Sequence, residues 1–525
     1  MKYILTPLFL LFVNIGFSQT QVTLERNNVK AFLSTSGHFF NNTLATASGY
    51  EIPKGSGNNS IFSNSFWFGG SDVNGASHIA AQDYFGDQDF WTGPLSTFGG
   101  VLGQYGDAEI TAAQIAYYDQ VWQISAAEIQ NHIQNYNTTG YTPIPSIATW
   151  PAHGDVSLGQ AYYLAPFVDV NLDGDYNPMD GDYPDIRGDE AAYMILNDKG
   201  GVHTSGGEAI GLELHIMAYQ YESNDFLNNT TFVNIRFVNR STKTIFDFKF
   251  GNFIDADLGN GGDDYMGTNP AKNLVYAYNG YNSDSQYGIA PPAIGVMTLC
   301  SPMSSANYFN SSNTHTQIPN TPAGYLGFLN GQWGSSGLGF TQGGNGYGGT
   351  VPTNYIYNDL NLWSELTEGN FATDRKMLMT VDPIQNQSQT LSPGYQGNID
   401  LAFVYARDST HVASVEALFG VADSVQDFFN TTFVNPCEDG FLEVETMPLK
   451  SFDISLFPNP TLTSYRIIGV EGEANIEVYD ITGKLVMSHL NINTSQPLAS
   501  PDKAGIYLVT IQQKGRSSTV KLIVE

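Results

Sequence analysis

Two stretches in the middle of the chain alternate apolar and polar residues: Thr230 to Asn239 (TTFVNIRFVN) and Thr244 to Ile254 (TIFDFKFGNFI). A period of two marks a strand with one face on a core, because successive side chains leave a strand on opposite sides. The segment Asn239-Arg240-Ser241-Thr242-Lys243 between them reads as a turn, so the two are expected to form a half-buried antiparallel pair. Val29 to Leu33, Ser60 to Phe68 and Asp400 to Arg407 read as further strands. Aromatic residues make up 13% of the 525 residues, charged residues only 14%, and there are 54 glycines. That balance suits strands and turns better than helices. The expected fold is mainly β: a large antiparallel β-rich body with a few helices, plus a small C-terminal β-sandwich.

Two helices stand out against this background. Ser125-Ala126-Ala127-Glu128 is a capping box, opening a helix to about Tyr136 with Ile129 and Ile133 on one face. From Val412 to Phe429, Val415, Leu418, Phe419, Ala422, Val425 and Phe428 fall at helical spacing, so this helix is expected to pack on the body. Ser301 to Thr353, rich in Gly, Asn, Ser and Pro, is expected to be a long ordered loop region.

The start of the chain reads as an export signal. Met1-Lys2, an apolar run from Tyr3 to Phe17 and small residues before Gln19 form a secretory signal peptide over residues 1–18. The body then spans residues 19–440, with a sub-boundary near 150–160, followed by a linker over 441–450 and a compact β-rich module over 451–525. No other segment is apolar enough to span a membrane as a helix, so an integral membrane protein is not expected. An oxidising destination permits a disulfide between Cys300 and Cys437, the chain's two cysteines, but sequence does not say whether they meet.

Acids outnumber bases 51 to 21, a net charge of −30. Nucleic acid is therefore excluded as a partner, since phosphate binding needs a basic face. Solubility accounts for most of this charge. It does not account for the clustering. Asp169, Asn171, Asp173, Asp175, Asn177 and Asp180 place side-chain oxygens at near-alternate positions, with Gly174 at the sixth. A hard cation needs six to eight oxygens around one point, and this spacing matches a calcium loop. The competing reading is a solvated acidic turn. Phe167-Val168 before the loop reads as strand and Pro178 interrupts it, so a calcium loop without flanking helices is expected. A second cluster, with Asp255, Asp257 and Asp264, follows the strand ending at Ile254. It reads equally as a second cation site or as a polar Gly-rich loop. There is no Gly-x-Ser-x-Gly, no His-Glu-x-x-His and no phosphate-cradling loop, while a carboxylate pair for glycoside hydrolysis could lie among the 51 acids. Glu213 and His215 share a strand face, and six tryptophans offer surfaces for sugars or fillers for β cores.

The C-terminal module reads Leu456-Phe457-Pro458-Asn459-Pro460, then IEVYDITGKLV over 476–486, AGIYLVTI over 504–511 and Thr519 to Ile523. It resembles the type A C-terminal sorting domain of the type IX secretion system of Bacteroidetes. The resemblance implies the type IX machinery as a partner, and release or anchoring at the outer-membrane surface. The body resembles a group of cargo proteins with the same tail and no assigned activity. It does so through Ile52 to Gly57, Phe66 to Gly70, Asp89 to Leu95, Asp169 to Asp189, Asp255 to Gly267 and Ala290 to Gly295.

The expected function is that of a secreted or cell-surface, calcium-stabilised β protein making adhesive, matrix or glycan contacts rather than catalysing a reaction. The alternatives are a secreted hydrolase acting on polysaccharide or peptide, and a structural subunit of an extracellular assembly.

Overall fold

The structure, a computed structural model, describes residues 20–42, 47–84, 86–96, 108–310, 314–384, 388–433, 437, 440–441, 454–470, 472–480, 484–513 and 516–525. The leader over 1–18, the linker from residue 442 and the turn Thr482-Gly483 lie outside these residues. The chain divides into two compact units: a body reaching Phe441, less the loop tip 172–174, and a C-terminal unit from Leu442.

The body is built on two antiparallel sheets. The larger runs, in spatial order, Trp122–Ser125, Glu190–Asn197, Leu212–Gln220, Thr231–Asn239, Tyr395–Ala406, Ala293–Thr298, Leu274–Asn279 and Asp264–Asn269. The smaller runs Met303–Phe309, Lys376–Val381, Phe246–Asp255, Ser63–Ser71 and Ser77–Ala81.

The larger sheet is buried on both faces, and all nine residues of Leu212–Gln220 are buried. Leu214, Ile216, Val233 and Ile235 point into a core shared with Phe66, Trp67, Phe250 and Phe253 of the smaller sheet. Met217, Tyr219 and Phe232 point into a second core on the opposite face. The helix His411–Thr432 closes that core with Val415, Leu418, Ala422, Val425 and Phe429. It lies where the helical spacing placed it, and the Thr410 hydroxyl caps its start. The capping box at Ser125 and Glu128 also forms, at the head of Ala126–Asn135.

The two alternating stretches are strands, but they do not pair with each other. Thr231–Asn239 pairs with Leu212–Gln220 and Tyr395–Ala406, whereas Phe246–Asp255 pairs with Ser63–Ser71 and Lys376–Val381. The segment between them carries the chain from one sheet to the other. Alternation reports which side chains share a face; it does not name the neighbouring strand. The polar positions are not simply solvated either. Asn234 Nδ2 donates to Asp400 Oδ1 at 3.0 Å and Arg236 Nη2 donates to the Leu164 carbonyl at 2.7 Å.

The region Ser301 to Thr353 also departs from expectation, because it contains the strand Met303–Phe309 and the helix Pro322–Leu329. Its glycines serve packing as well as turns. A Cβ on Gly327, inside the helix, would lie 1.7 Å from the Gly334 carbonyl oxygen. Cys300 and Cys437 are joined in a disulfide. Among the described residues no helix is long and apolar enough to cross a membrane.

In the C-terminal unit, Ser455–Phe457, Ser464–Ile468 and Leu498–Ala499 form one sheet. Leu485–Asn493, Glu473–Asp480, Gly505–Gln513 and Arg516–Val524 form the other. Tyr465, Ile476, Val478, Val509, Ile511 and Leu522 fill the core of this small antiparallel sandwich.

Candidate metal centre

The acidic loop hangs from a short two-stranded neck in which Phe167–Val168 pairs with Tyr183–Pro184. Its flanks are strands rather than helices. The backbone turns tightly where Leu172 and Gly174 take φ of 58° and 85°. Asp182, fully buried, staples the loop closed: its Oδ1 accepts Val170 N and its Oδ2 accepts Asn177 N, both at 2.8 Å. The sequence pattern omitted this residue, because it lies two positions beyond the loop template. Asn177 Oδ1 accepts Met179 N at 3.1 Å, and its Nδ2 donates to Asp180 Oδ2 at 2.6 Å, capping the short turn Pro178–Asp180. The Tyr162 hydroxyl donates to Asp175 Oδ1. Asp169, Asp173 and Asp175 are half-buried, while Asn171, Asn177 and Asp180 are exposed.

The second cluster is assembled by strand register. Asp255 ends its strand opposite Lys376, the first residue of the neighbouring strand. Asp257 lies two residues beyond Asp255, and Asp374 two residues before Lys376. The antiparallel pairing continued outward thus sets Asp257 against Asp374, on the same side as Asp255. One oxygen from each of Asp255, Asp257 and Asp374 lies within 4.8 Å of the others, and among the described residues this is the one set of three acidic, histidine or cysteine side chains that converges so closely.

The Tyr84 hydroxyl donates to Asp255 Oδ2 at 2.9 Å, and the Lys376 ammonium donates to Asp374 Oδ2. Asp255 Oδ1 and Asp374 Oδ1 are buried without a hydrogen-bond partner. Gly261 leaves the Asp257 carboxylate its space, since a Cβ there would lie 2.0 Å from Asp257 Oδ1. Burial, reinforced by the charge of Asp257, pushes the Asp255 carboxyl up to about 7. Burial, reinforced by Asp374, pushes Asp257 up to about 6. Asp264 is not one of the three. It is fully buried, and its Oδ2 accepts Leu258 N at 3.0 Å, closing the turn that follows the strand.

The other candidate groups serve the fold. Glu213 Oε1 is shared by His215 Nε2 at 2.8 Å and Arg240 Nη2 at 2.7 Å, and its Oε2 accepts Leu95 N at 2.7 Å. Tyr193 occupies the other His215 nitrogen, and all of these side chains are buried. Burial opposes the charge on Glu213, but Arg240 and His215 hold it ionised below the usual carboxylate range. All six tryptophans are buried, the most accessible being Trp91 at 8%. Five of them fill the two cores, and Trp91 packs against Gly200 and Gly201.

Comparison with known proteins places the C-terminal unit first. Residues 455–525 match the family described as the secretion system C-terminal sorting domain. The chain is therefore cargo of the type IX secretion system, sent out of the cell to its surface or surroundings. No curated protein matches the chain in sequence. Among solved structures, the adhesin domain of Epf from Streptococcus pyogenes is 9% identical, covering 57% of this chain and 81% of its own, at a TM-score of 0.12. The BSP domain of a biofilm-associated protein is 10% identical, covering 97% and 81%, at 0.18. PorZ, a surface component of the type IX secretion system of Porphyromonas gingivalis, is 11% identical, covering 96% and 75%, at 0.12. At such TM-scores these likenesses establish neither fold nor role.

Proposed function

We propose that this cargo is a non-enzymatic, β-rich binding protein of the cell exterior, making adhesive, matrix or glycan contacts, with calcium held in the 169–180 loop stabilising its body. The observations that support the calcium reading are the alternate spacing of side-chain oxygens over 169–180 and the Asp182 staple, which closes the loop through Val170 N and Asn177 N. Packed carboxylates repel unless a cation joins them. The burial of Glu213, His215 and the tryptophans supports a binding role over a catalytic one built on these residues.

A cation bound by the native state alone stabilises it by mass action, by about 2.7 kcal/mol at a hundredfold excess over Kd. In a body of this size that corresponds to a melting shift of about 3 °C. Calorimetry of the mature protein should show that loss on chelation, and Asp169→Asn should reproduce part of it. An unchanged melt in both would remove calcium from this reading. Glycan-array binding, with and without calcium, tests the contact itself.

A further inference from the structure

We propose that Asp255, Asp257 and Asp374 form a second divalent-cation site, separate from the acidic loop, which ties the end of strand Phe246–Asp255 to the start of strand Lys376–Val381. The choice of calcium rests on the extracellular reading above; the ligand set does not.

Distance supports it first. Oxygens sharing a calcium ion at about 2.3–2.6 Å lie no more than about 5.2 Å apart. One oxygen from each of these three carboxylates meets that limit, at 4.8 Å or less. Hydrogen bonding supports it independently. Asp255 is 5% exposed, and its Oδ2 is taken by Tyr84, yet its Oδ1 is buried with no partner. Asp374 repeats the pattern, with Oδ2 on Lys376 and Oδ1 buried without a partner. Buried polar atoms in folded proteins are nearly always satisfied, so two uncommitted carboxylate oxygens within one converging cluster call for a ligand.

Charge supports it third. Three carboxylates and one ammonium sum to −2, which one divalent cation neutralises. All the donors are oxygens, which selects a hard cation over zinc or copper. Tyr84 and Lys376 each hold one oxygen of a ligand carboxylate, the arrangement by which surrounding groups orient metal ligands.

The test is equilibrium dialysis of the mature full chain against radioactive calcium after chelation. The wild type should bind one equivalent more than Asp374→Asn and one more than Asp257→Asn, each of which keeps the loop's equivalent. Asp169→Asn should lose the loop's equivalent and keep this one. If Asp374→Asn and Asp257→Asn fold and bind as much calcium as the wild type, the proposal is overturned while the loop reading stands. If Asp169→Asn binds as much as the wild type, the loop reading falls and this one survives. Should neither strand-end variant fold, folded Asp169→Asn decides: one remaining equivalent supports the site, and none overturns it.

Discussion

The acidic loop at 169–182 and the strand-end trio of Asp255, Asp257 and Asp374 gather similar charge by different means. In the loop, neighbours in sequence supply the oxygens, half of them exposed, and one buried carboxylate holds the ring shut through backbone amides. In the trio, residues from either side of a long insertion are brought together by strand register, and their oxygens lie deeper. A contiguous loop that held a cation could relax around water on losing it. The trio has less freedom, because Asp255 ends one strand and Asp257 and Asp374 each lie only two residues from the paired strand ends. Cation loss should therefore loosen the first locally and strain the second.

The largest effect expected from a single change falls on the loop's neck rather than on its ligands. Asp182→Ala strips two backbone amides, Val170 N and Asn177 N, of a buried charged acceptor. Hydrogen bonds to charged groups contribute about 1.5–3 kcal/mol each, so the loss should be about 4 kcal/mol by denaturant unfolding. Asp180→Ala, at an exposed position, should stay within about 0.5 kcal/mol in chelator. Equal effects from the two would mean that the neck does not organise the loop.

Acid separates both regions from the core beneath them. Burial lowers the His38 imidazole to about 4. The unfolded chain takes up this proton below about 6.5 while the folded chain refuses it until about 4, so stability falls as pH drops through that window. The fall attributable to His38 is at most about 3.5 kcal/mol. His38→Gln should flatten this slope in chelator and leave calcium binding at pH 7.5 unchanged. An undiminished slope would assign the acid sensitivity to other groups.

What the sequence disclosed follows the same division between local and non-local information. The capping box at Ser125 and the long helix packed through Val415, Leu418 and Val425 are written in runs of adjacent residues, and both were legible. So was the sorting domain, whose segments stand in order. The partner strands of Thr231–Asn239 and Phe246–Asp255 were not, because alternation is satisfied equally by any strand that buries the same face. Asp374 was missed for the same reason. Nothing in the local pattern around it distinguishes it from a loop aspartate, and only the pairing of Asp255 with Lys376 brings it to the cluster. Asp264, adjacent in sequence, looked the better ligand, yet the turn that follows the strand uses it to hold Leu258 N.

The finest test applies one chemical change to both regions. Tyr84 donates its hydroxyl to Asp255 Oδ2, and Tyr162 donates its hydroxyl to Asp175 Oδ1. Tyr84→Phe leaves a third buried carboxylate oxygen unsatisfied beside the two already so, and should cost about 1.5 kcal/mol in chelator. It should also weaken the strand-end site about tenfold, because Asp255 loses the group that orients it. Tyr162→Phe frees an oxygen on a half-buried loop that water can reach, so its cost in chelator should be smaller than that of Tyr84→Phe. The contrast turns on rigidity and burial alone, since the bond deleted is the same. Matching losses in chelator, measured by denaturant unfolding of both variants, would show that the strand ends yield as readily as the loop does, and the distinction between the two regions would collapse.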